Sequence, residues 1–492
     1  MNKIFRRIGT PILVAVLVMG AARVAVAQQT ASGHLARSVE QALVEAIAGA
    51  EKSVVAIARV ARSTPDEALS LEFRVEPFGQ TARALGEPDP TDPDFVPNEY
   101  AAGVVVGSQG LILTTYHVLA PQSDYYVTTA DGRVFQAAVK AADPRSDLAV
   151  LALKADDLVP IALGDGESLR KGQFVVALGN PHAVARDGQA SAAWGIVSNL
   201  ARKSPLDPAH SPAAGKTTLH HFGTLIETDA KLNVGTSGGA LLDMSGRMIG
   251  LITSLPAPAG YDRAAGYAIP VDATFRRVVE TLKQGREVEY GFLGLQPANL
   301  TREERLAGMR GIRVERITPG PGTPAAAGGI EEGDLITHIA GRPIRDADEL
   351  VLEVNRLQVE SVARITVARR GRQRDLNVRL GKYPVQGLMI VTDRPKPWRG
   401  LHVDYPTAAV DPDYRSSREP LYFEDAVLIT EVEQDSPAWR AGIRPGMSIS
   451  HVVGRAVRTP EQFRTLVAGR RGEVELRLTE ADSPERVVGP GG

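Results

Sequence analysis

The sequence contains no cysteine in its 492 residues. This absence excludes a disulfide framework and a thiol nucleophile, so the fold must rely on its hydrophobic cores and any nucleophile must be another side chain. The formal net charge is only -2. No overall field therefore favours nucleic acid or an anionic membrane surface, and we expect no nucleic-acid partner.

The N-terminus also lacks an apolar run of the length that a transmembrane helix needs, because the run from Ile8 to Ala22 is too short. Basic residues precede this run, and Ala25-Val26-Ala27 follows it as a small-residue cleavage site. This pattern predicts a secretory signal peptide over 1–27, with an uncleaved membrane anchor as the alternative. An exported protein without disulfides fits the periplasm.

The length predicts three or four domains. A helical pattern from Leu35 to Ile47 and a strand from Val54 to Val60 come first. The stretch 63–98 is rich in proline, glycine and acids, which predicts a mobile insertion. From Ala101 to Pro270 many short β-branched runs favour a β-sandwich or barrel, and Asp272 to Lys283 has a helical pattern.

An internal repeat follows, since the segment from Gly329 to Ile344 reappears from Gly442 to Val457. Each copy precedes a helical run, from Asp346 to Leu357 and from Pro460 to Val467. Two copies this far apart predict two similar small domains and not a solenoid. We place them at 287–382 and 397–482, with a linker over 383–396 and a frayed tail over 483–492.

Ser237 lies among three glycines, in Gly235-Thr236-Ser237-Gly238-Gly239. Glycines allow backbone N–H groups to approach a developing oxyanion, although a glycine-rich turn has the same appearance. The turn at 244–246 leaves no room for the helix that follows the serine of an α/β-hydrolase, so this template is excluded. A chymotrypsin-like barrel remains, and it requires a histidine and an acid upstream.

His117 and Asp147 are the candidates for these two roles. His117 lies at the end of an apolar strand, where a base could be held rigidly. Asp147 leads directly into another strand and needs a hydrogen-bond partner there, which an imidazole would supply. A surface histidine and a turn aspartate are the alternatives, and the remaining histidines near Ser237 are expected to be solvated.

Residues 101–286 resemble the protease domain of the HtrA (DegP) family of chymotrypsin-fold serine proteases, and both repeats resemble PDZ domains. The resemblance rests on seven blocks in the family's order: Leu113 to Val118, Asp143 to Leu151, Val176 to Pro181, Gly195 to Ser198, Thr228 to Ala230, Gly235 to Gly239 and Gly266 to Pro270. It implies a mostly β fold, with a double β-barrel protease domain over 28–286 followed by two PDZ domains.

The resemblance further implies a triad of His117, Asp147 and Ser237, with an oxyanion hole formed by the N–H groups of Gly235 and Ser237. It implies an ATP-independent endoprotease that degrades unfolded or damaged exported proteins as a homotrimer or larger homo-oligomer. No metal or other cofactor is expected. A catalytically idle chaperone or peptide-sensing scaffold of the same fold is the alternative.

Two positions depart from the family's usual sequence around the serine, where Thr236 and Ala240 replace asparagine and proline. The β-branched Thr236 favours a loop with an inactive or switchable resting state. Lys231 and Leu232 lie near the family's specificity pocket. The segment Gly291-Phe292-Leu293-Gly294 is expected to bind the carboxylate of a peptide C-terminus.

Overall fold

The computed structural model describes nine segments of the chain: 36–62, 99–180, 188–203, 217–233, 235–253, 266–318, 323–409, 425–479 and 485–490. The predicted signal peptide and the predicted 63–98 insertion lie outside these residues. Within the described part of the chain, no helix is long and apolar enough to cross a membrane.

Six antiparallel strands form the first barrel, and the N-terminal helix α1 (36–50) precedes them as its pattern predicts. The barrel closes because the fifth strand pairs with both the fourth and the sixth. Its strands are β1 (Val54–Ala61), β2 (Glu99–Gly107), β3 (Leu111–Thr115), β4 (Ser123–Thr128), β5 (Val134–Asp143) and β6 (Leu148–Leu153).

The second barrel is closed as well, in the order β10-β11-β12-β9-β8-β7. Its strands are β7 (Phe174–Gly179), β8 (Ser191–Arg202), β9 (Leu225–Thr228), β10 (Ala240–Leu242), β11 (Met248–Thr253) and β12 (Gly266–Pro270). The predicted all-β architecture with two barrels is thus confirmed.

Helix α2 (Ala273–Lys283) packs the two barrels together. Asp272 caps it, because the carboxylate accepts a 2.7 Å hydrogen bond from the N–H of Phe275. Phe275 and Leu282 on its apolar face belong to one core cluster with Leu148 of the first barrel and Leu251 of the second. This shared core fixes the cleft between the barrels.

The first C-terminal domain has a sheet in the order β14-β15-β16-β18-β19, with β17 paired to β16. Its elements are β13 (Gly291–Phe292), β14 (Leu295–Asn299), α3 (Arg302–Leu306), β15 (Ile312–Ile317), α4 (Pro324–Ala327), β16 (Leu335–Ile339), β17 (Arg342–Pro343), α5 (Ala347–Arg356), β18 (Val362–Arg369), β19 (Arg372–Arg379) and β20 (Gly381–Lys382).

The second C-terminal domain repeats this order as β22-β23-β24-β26-β27, with β25 paired to β24. Its elements are β22 (Leu401–Asp404), β23 (Val427–Val432), α6 (Pro437–Arg440), β24 (Ser448–Val452), β25 (Arg455–Ala456), α7 (Pro460–Val467), β26 (Val474–Leu478) and β27 (Glu485–Val488). The two domains predicted from the repeat therefore have the same topology.

The frayed tail predicted over 483–492 is wrong over Glu485–Val488, which pairs with Val474 to Arg477 as β27. Val488 is fully buried in the domain core. Its carbonyl also accepts a hydrogen bond from the Arg399 guanidinium at 2.5 Å. Burial and this bond outweigh the tendency of a terminus to fray.

The predicted linker contains a strand of its own, β21 (Ile390–Val391), which extends the first barrel's sheet. Ile390 and Val391 pair with Ala142 and Ala141 of β5. The Thr392 hydroxyl adds a 2.7 Å hydrogen bond to the Lys140 carbonyl. This segment is therefore attached to the first barrel.

Candidate active site

The structure brings His117, Asp147 and Ser237 together in the cleft between the barrels. His117 lies in the short 3-10 helix Tyr116–Val118 after β3, Asp147 in the turn between β5 and β6, and Ser237 in the loop before β10. The His117 Nδ1 atom lies 2.9 and 3.1 Å from the two Asp147 carboxylate oxygens, and Nε2 lies 3.4 Å from the Ser237 hydroxyl. The last distance is long, which is common where a substrate tightens the site.

Asp147 is fixed by its backbone as well as by its side chain. Its φ angle of 57° lies in the left-handed region, which aspartate tolerates better than most residues. Its carbonyl accepts from the N–H of Tyr116 at 2.9 Å, and its carboxylate accepts from the N–H of His117 at 3.0 Å. These bonds set the plane of the carboxylate toward the imidazole.

His117 and Asp147 each shift the pKa of the other. Burial lowers the pKa of His117, but the charge and hydrogen bonds of Asp147 outweigh it, so the pKa lies above its usual 6.5. Burial raises the pKa of Asp147, but the charge and hydrogen bond of His117 outweigh it, so this pKa lies below its usual value. The arrangement therefore stabilises an imidazolium next to the serine, as a general base requires.

The loop around Ser237 depends on its glycines. Gly235 has a φ angle of 94°, and Gly238 has one of 83°. A Cβ atom at Gly238 would lie 2.1 Å from the carbonyl oxygen of Ala102, so no side chain fits there. Close backbone contact accounts for glycine at 238, and the left-handed φ accounts for it at both positions.

Thr236 is buried in the same loop and reinforces its turn. The Thr236 hydroxyl donates a 2.7 Å hydrogen bond to the Asn233 carbonyl, which also accepts from the Thr236 N–H at 3.2 Å. The side chain that replaces the family's asparagine therefore holds the turn that presents Gly235 and Ser237.

The two pocket residues differ in their surroundings. Lys231 is exposed, whereas Leu232 is half-buried against the core of the second barrel. A Cβ atom at Gly266 would lie 2.4 Å from the Leu232 Cδ1 atom, so glycine at 266 makes room for this leucine.

The predicted carboxylate loop lies at the start of the first C-terminal domain. Gly291 and Phe292 pair with Lys382 and Gly381, and Gly294 has a φ angle of 74°. The Gly294 carbonyl accepts from the N–H of Thr318 at 2.9 Å. The loop is thus tied on both sides, next to the first residue of β14.

His220 is a residue that sequence reasoning misjudged, because it was expected to be solvated. The side chain is buried, its Nε2 lies 3.1 Å from the Ser146 carbonyl and its Nδ1 lies 3.1 Å from the Thr224 hydroxyl. Desolvation lowers the pKa of His220 to about 4, so the imidazole is neutral at pH 7. The capping pattern of its short helix was the only local signal, and it does not report burial.

Arg145, within the same turn as Asp147, is a second missed residue and is almost fully buried. No local pattern in the sequence indicates this burial. In the part of the chain that the structure describes, no cluster of three or more histidine or acidic side chains could hold a metal ion.

Comparisons with known proteins agree with this architecture. Residues 101–251 match the trypsin-like peptidase domain family, and residues 291–380 match the PDZ domain family. The chain is 30% identical over 378 residues to a probable periplasmic serine endoprotease DegP-like from Pseudomonas putida (strain W619), covering 74% of this chain and 72% of that relative.

A relative of the same description from Brucella suis biovar 1 (strain 1330) is 30% identical over 406 residues, which cover 80% of this chain and 74% of that protein. Among solved structures, the HtrA-type protease AlgW with decapeptide is 26% identical with a TM-score of 0.51, covering 70% of this chain and 99% of that chain. With its trypsin-like domain, its PDZ domain and these relatives, the chain belongs to the HtrA/DegP-like family of serine endoproteases.

Proposed function

We propose that this protein is an ATP-independent endoprotease that degrades unfolded or damaged exported proteins, with His117, Asp147 and Ser237 as its triad. The observation that carries the proposal is the hydrogen-bonded series from the Asp147 carboxylate through both His117 nitrogens to the Ser237 hydroxyl. Three side chains from distant positions meet there in the order that acyl transfer requires.

In the proposed mechanism, the Ser237 oxygen attacks the peptide carbonyl carbon while His117 Nε2 takes the hydroxyl proton. The N–H groups of Gly235 and Ser237 stabilise the oxyanion. The tetrahedral intermediate collapses when His117 returns the proton to the leaving amine, which leaves an acyl-enzyme. Water, deprotonated by the same imidazole, then attacks the ester, and the imidazolium returns the proton to the Ser237 oxygen as its bond to the acyl carbon breaks and the carboxylic acid product leaves. Asp147 stabilises the imidazolium in both halves.

We assign the substrate side-chain pocket to the surroundings of Leu232. Its half-buried side chain packs on the second barrel, which favours a small apolar substrate residue. The exposed Lys231 ammonium lies at the rim in this proposal, and it disfavours a basic residue by like-charge repulsion.

The PDZ domain at 291–380 supports capture of peptide C-termini, with the backbone of Gly291 to Gly294 receiving the carboxylate and β14 pairing with the peptide. The similar solved structure is that of the HtrA-type protease AlgW together with a decapeptide. The second C-terminal domain has the same strand order, so we propose that it is a second PDZ domain.

A periplasmic location is supported by the descriptions of the relatives and by the signal-like N-terminus. We propose a homotrimer or larger homo-oligomer from the family alone.

A comparison of the purified protein with its Ser237→Ala variant tests the enzymatic activity. The wild type should fragment an unfolded protein such as reduced casein without ATP, and Ser237→Ala should leave it intact. If both proteins leave the substrate intact while suppressing its aggregation, the idle-chaperone alternative is correct.

A further inference from the structure

The turn that supplies Asp147 contains a buried positive charge. Arg145 is 1% exposed, and its guanidinium lies 4.3 Å from the centre of the Tyr383 ring. The Nη1 group donates to the Thr217 carbonyl at 2.7 Å. A buried guanidinium is stable only when its N–H groups find acceptors, so its other partners decide how well this turn is held.

The acceptor for the other edge of the guanidinium comes from the PDZ domain. The Oδ1 atom of Asn355, on α5, accepts from Arg145 Nε at 3.1 Å and from Nη2 at 3.0 Å. The amide is itself held, since Asn355 is 3% exposed and its Nδ2 donates to the Gly291 carbonyl at 3.2 Å. One amide therefore joins the turn of the catalytic acid to the PDZ domain.

The backbone transmits the position of Arg145 to Asp147. The Arg145 carbonyl accepts a hydrogen bond from the N–H of Leu219 at 2.8 Å, and the backbone N–H of Arg145 donates to the Asp143 carboxylate at 3.3 Å. Asp147 follows after one residue in a left-handed conformation that leaves little freedom. Arg145 therefore belongs to the same hydrogen-bonded turn that presents the Asp147 carboxylate to His117.

A second set of contacts points in the same direction. The buried Tyr290 hydroxyl donates to the Asp143 carboxylate, at the start of the turn. The hydroxyl of Tyr116, next to His117, donates to the Leu388 carbonyl at 3.0 Å. Neighbours of both the base and the acid are thus held by residues beyond the protease domain.

We propose that Asn355 is a positioning residue for Asp147, acting through Arg145, so that the active site of this protease includes a side chain of its PDZ domain. The inference rests on the triad of the proposed function. It predicts that a change more than two hundred residues away in sequence impairs turnover without weakening substrate binding.

The test compares full-length variants on a peptide substrate. Asn355→Leu keeps the branched shape and the number of heavy atoms of the side chain and removes the acceptor. We expect kcat to fall at least tenfold with KM unchanged, because a displacement of about 1 Å among catalytic groups can cost about a hundredfold. The acid limb of the kcat/KM profile should also move to lower pH, since a displaced Asp147 raises the pKa of His117 less.

Two variants distinguish positioning from domain docking. Asn355→Asp keeps an oxygen opposite the guanidinium and loses the hydrogen bond to the Gly291 carbonyl. Its kcat should stay within about threefold of the wild type, because the charge-assisted bond to Arg145 is retained. Asp348→Asn weakens another contact between α5 and the protease domain, the 2.5 Å ion pair with Lys203, and it should leave kcat and the pH profile unchanged. The remaining groups that act electrostatically on His117, Glu99 and His220, are present in every variant.

The proposal is overturned if Asn355→Leu retains wild-type kcat and pH profile, or if Asn355→Asp and Asp348→Asn lose as much activity as Asn355→Leu. If Asn355→Leu does not fold, the double variant Arg145→Met/Asn355→Leu is measured in its place, because it removes the buried cation together with its acceptor. Wild-type kcat in that variant also overturns the proposal. An inactive wild type would instead contradict the proposed function.

Discussion

The Thr236→Val substitution tests whether the turn before Ser237 is held ready for catalysis. Valine has the shape of threonine, so the packing of this side chain beside Gly179 is retained. The variant loses only the 2.7 Å hydrogen bond from the hydroxyl to the Asn233 carbonyl. A neutral hydrogen bond contributes about 1 kcal/mol net, which is about a fivefold change in an equilibrium constant.

We therefore expect Thr236→Val to lower kcat about fivefold with KM unchanged. A larger loss, about a hundredfold, would mean that an oxyanion donor is lost entirely. Steady-state kinetics on a peptide substrate measures both constants, and Thr236→Ser, which keeps the hydroxyl, should retain most of the activity. Unchanged or increased kcat in Thr236→Val would refute the reasoning, and an increase would mean that the hydroxyl holds the turn in an inactive state.

Two further predictions concern the triad and its loop. Catalysis needs neutral His117, and Asp147 holds the pKa of that imidazole above 6.5, so kcat/KM should fall as the pH drops through a value above 6.5. In Asp147→Asn this acid limb of the pH profile should move to lower pH, and kcat should fall by up to about 10⁴. An acid limb that does not move would contradict the assignment. Gly238→Ala should abolish activity and lower the melting temperature, since its Cβ would lie 2.1 Å from a backbone oxygen. The matched control is Gly172→Ala, at a φ of 86° with open space around it, which should lower the free energy of unfolding by only about 1–2 kcal/mol. Equal effects of the two substitutions would exclude steric contact as the cause.

The barrel strands were predictable because they bury alternate or continuous apolar residues over short, well-separated runs. The short β-branched runs predicted between Ala101 and Pro270 form strands such as Leu111–Thr115, Leu148–Leu153 and Leu225–Thr228. The helix after the second barrel was also predictable, through the spacing of its apolar face. These features depend on residues close together in sequence.

The features that could not be predicted depend on distant partners. Ile390 and Val391 form a strand only because the edge of β5 is available to them. Glu485–Val488 is a strand because the Arg399 guanidinium donates to the Val488 carbonyl and the Val488 side chain packs in the domain core. Local sequence contains neither partner, so a linker and a tail were the natural predictions.

The burial of Arg145 has a consequence for how the protein divides into domains. Sequence pattern places the boundary between a protease domain and a PDZ domain near residue 287, and the structure gives each domain an apolar core, although Val288 and Tyr290 pack into the core of the protease domain. Yet the guanidinium of one domain finds its acceptor on Asn355 of the other, and separating them would leave a charge without that partner. Because such a loss is costly in a buried site, the docking of the PDZ domain and the geometry of the acid turn are parts of one equilibrium. A ligand or substitution that changes the docking of the PDZ domain must therefore also change the population of molecules in which Asp147 faces His117.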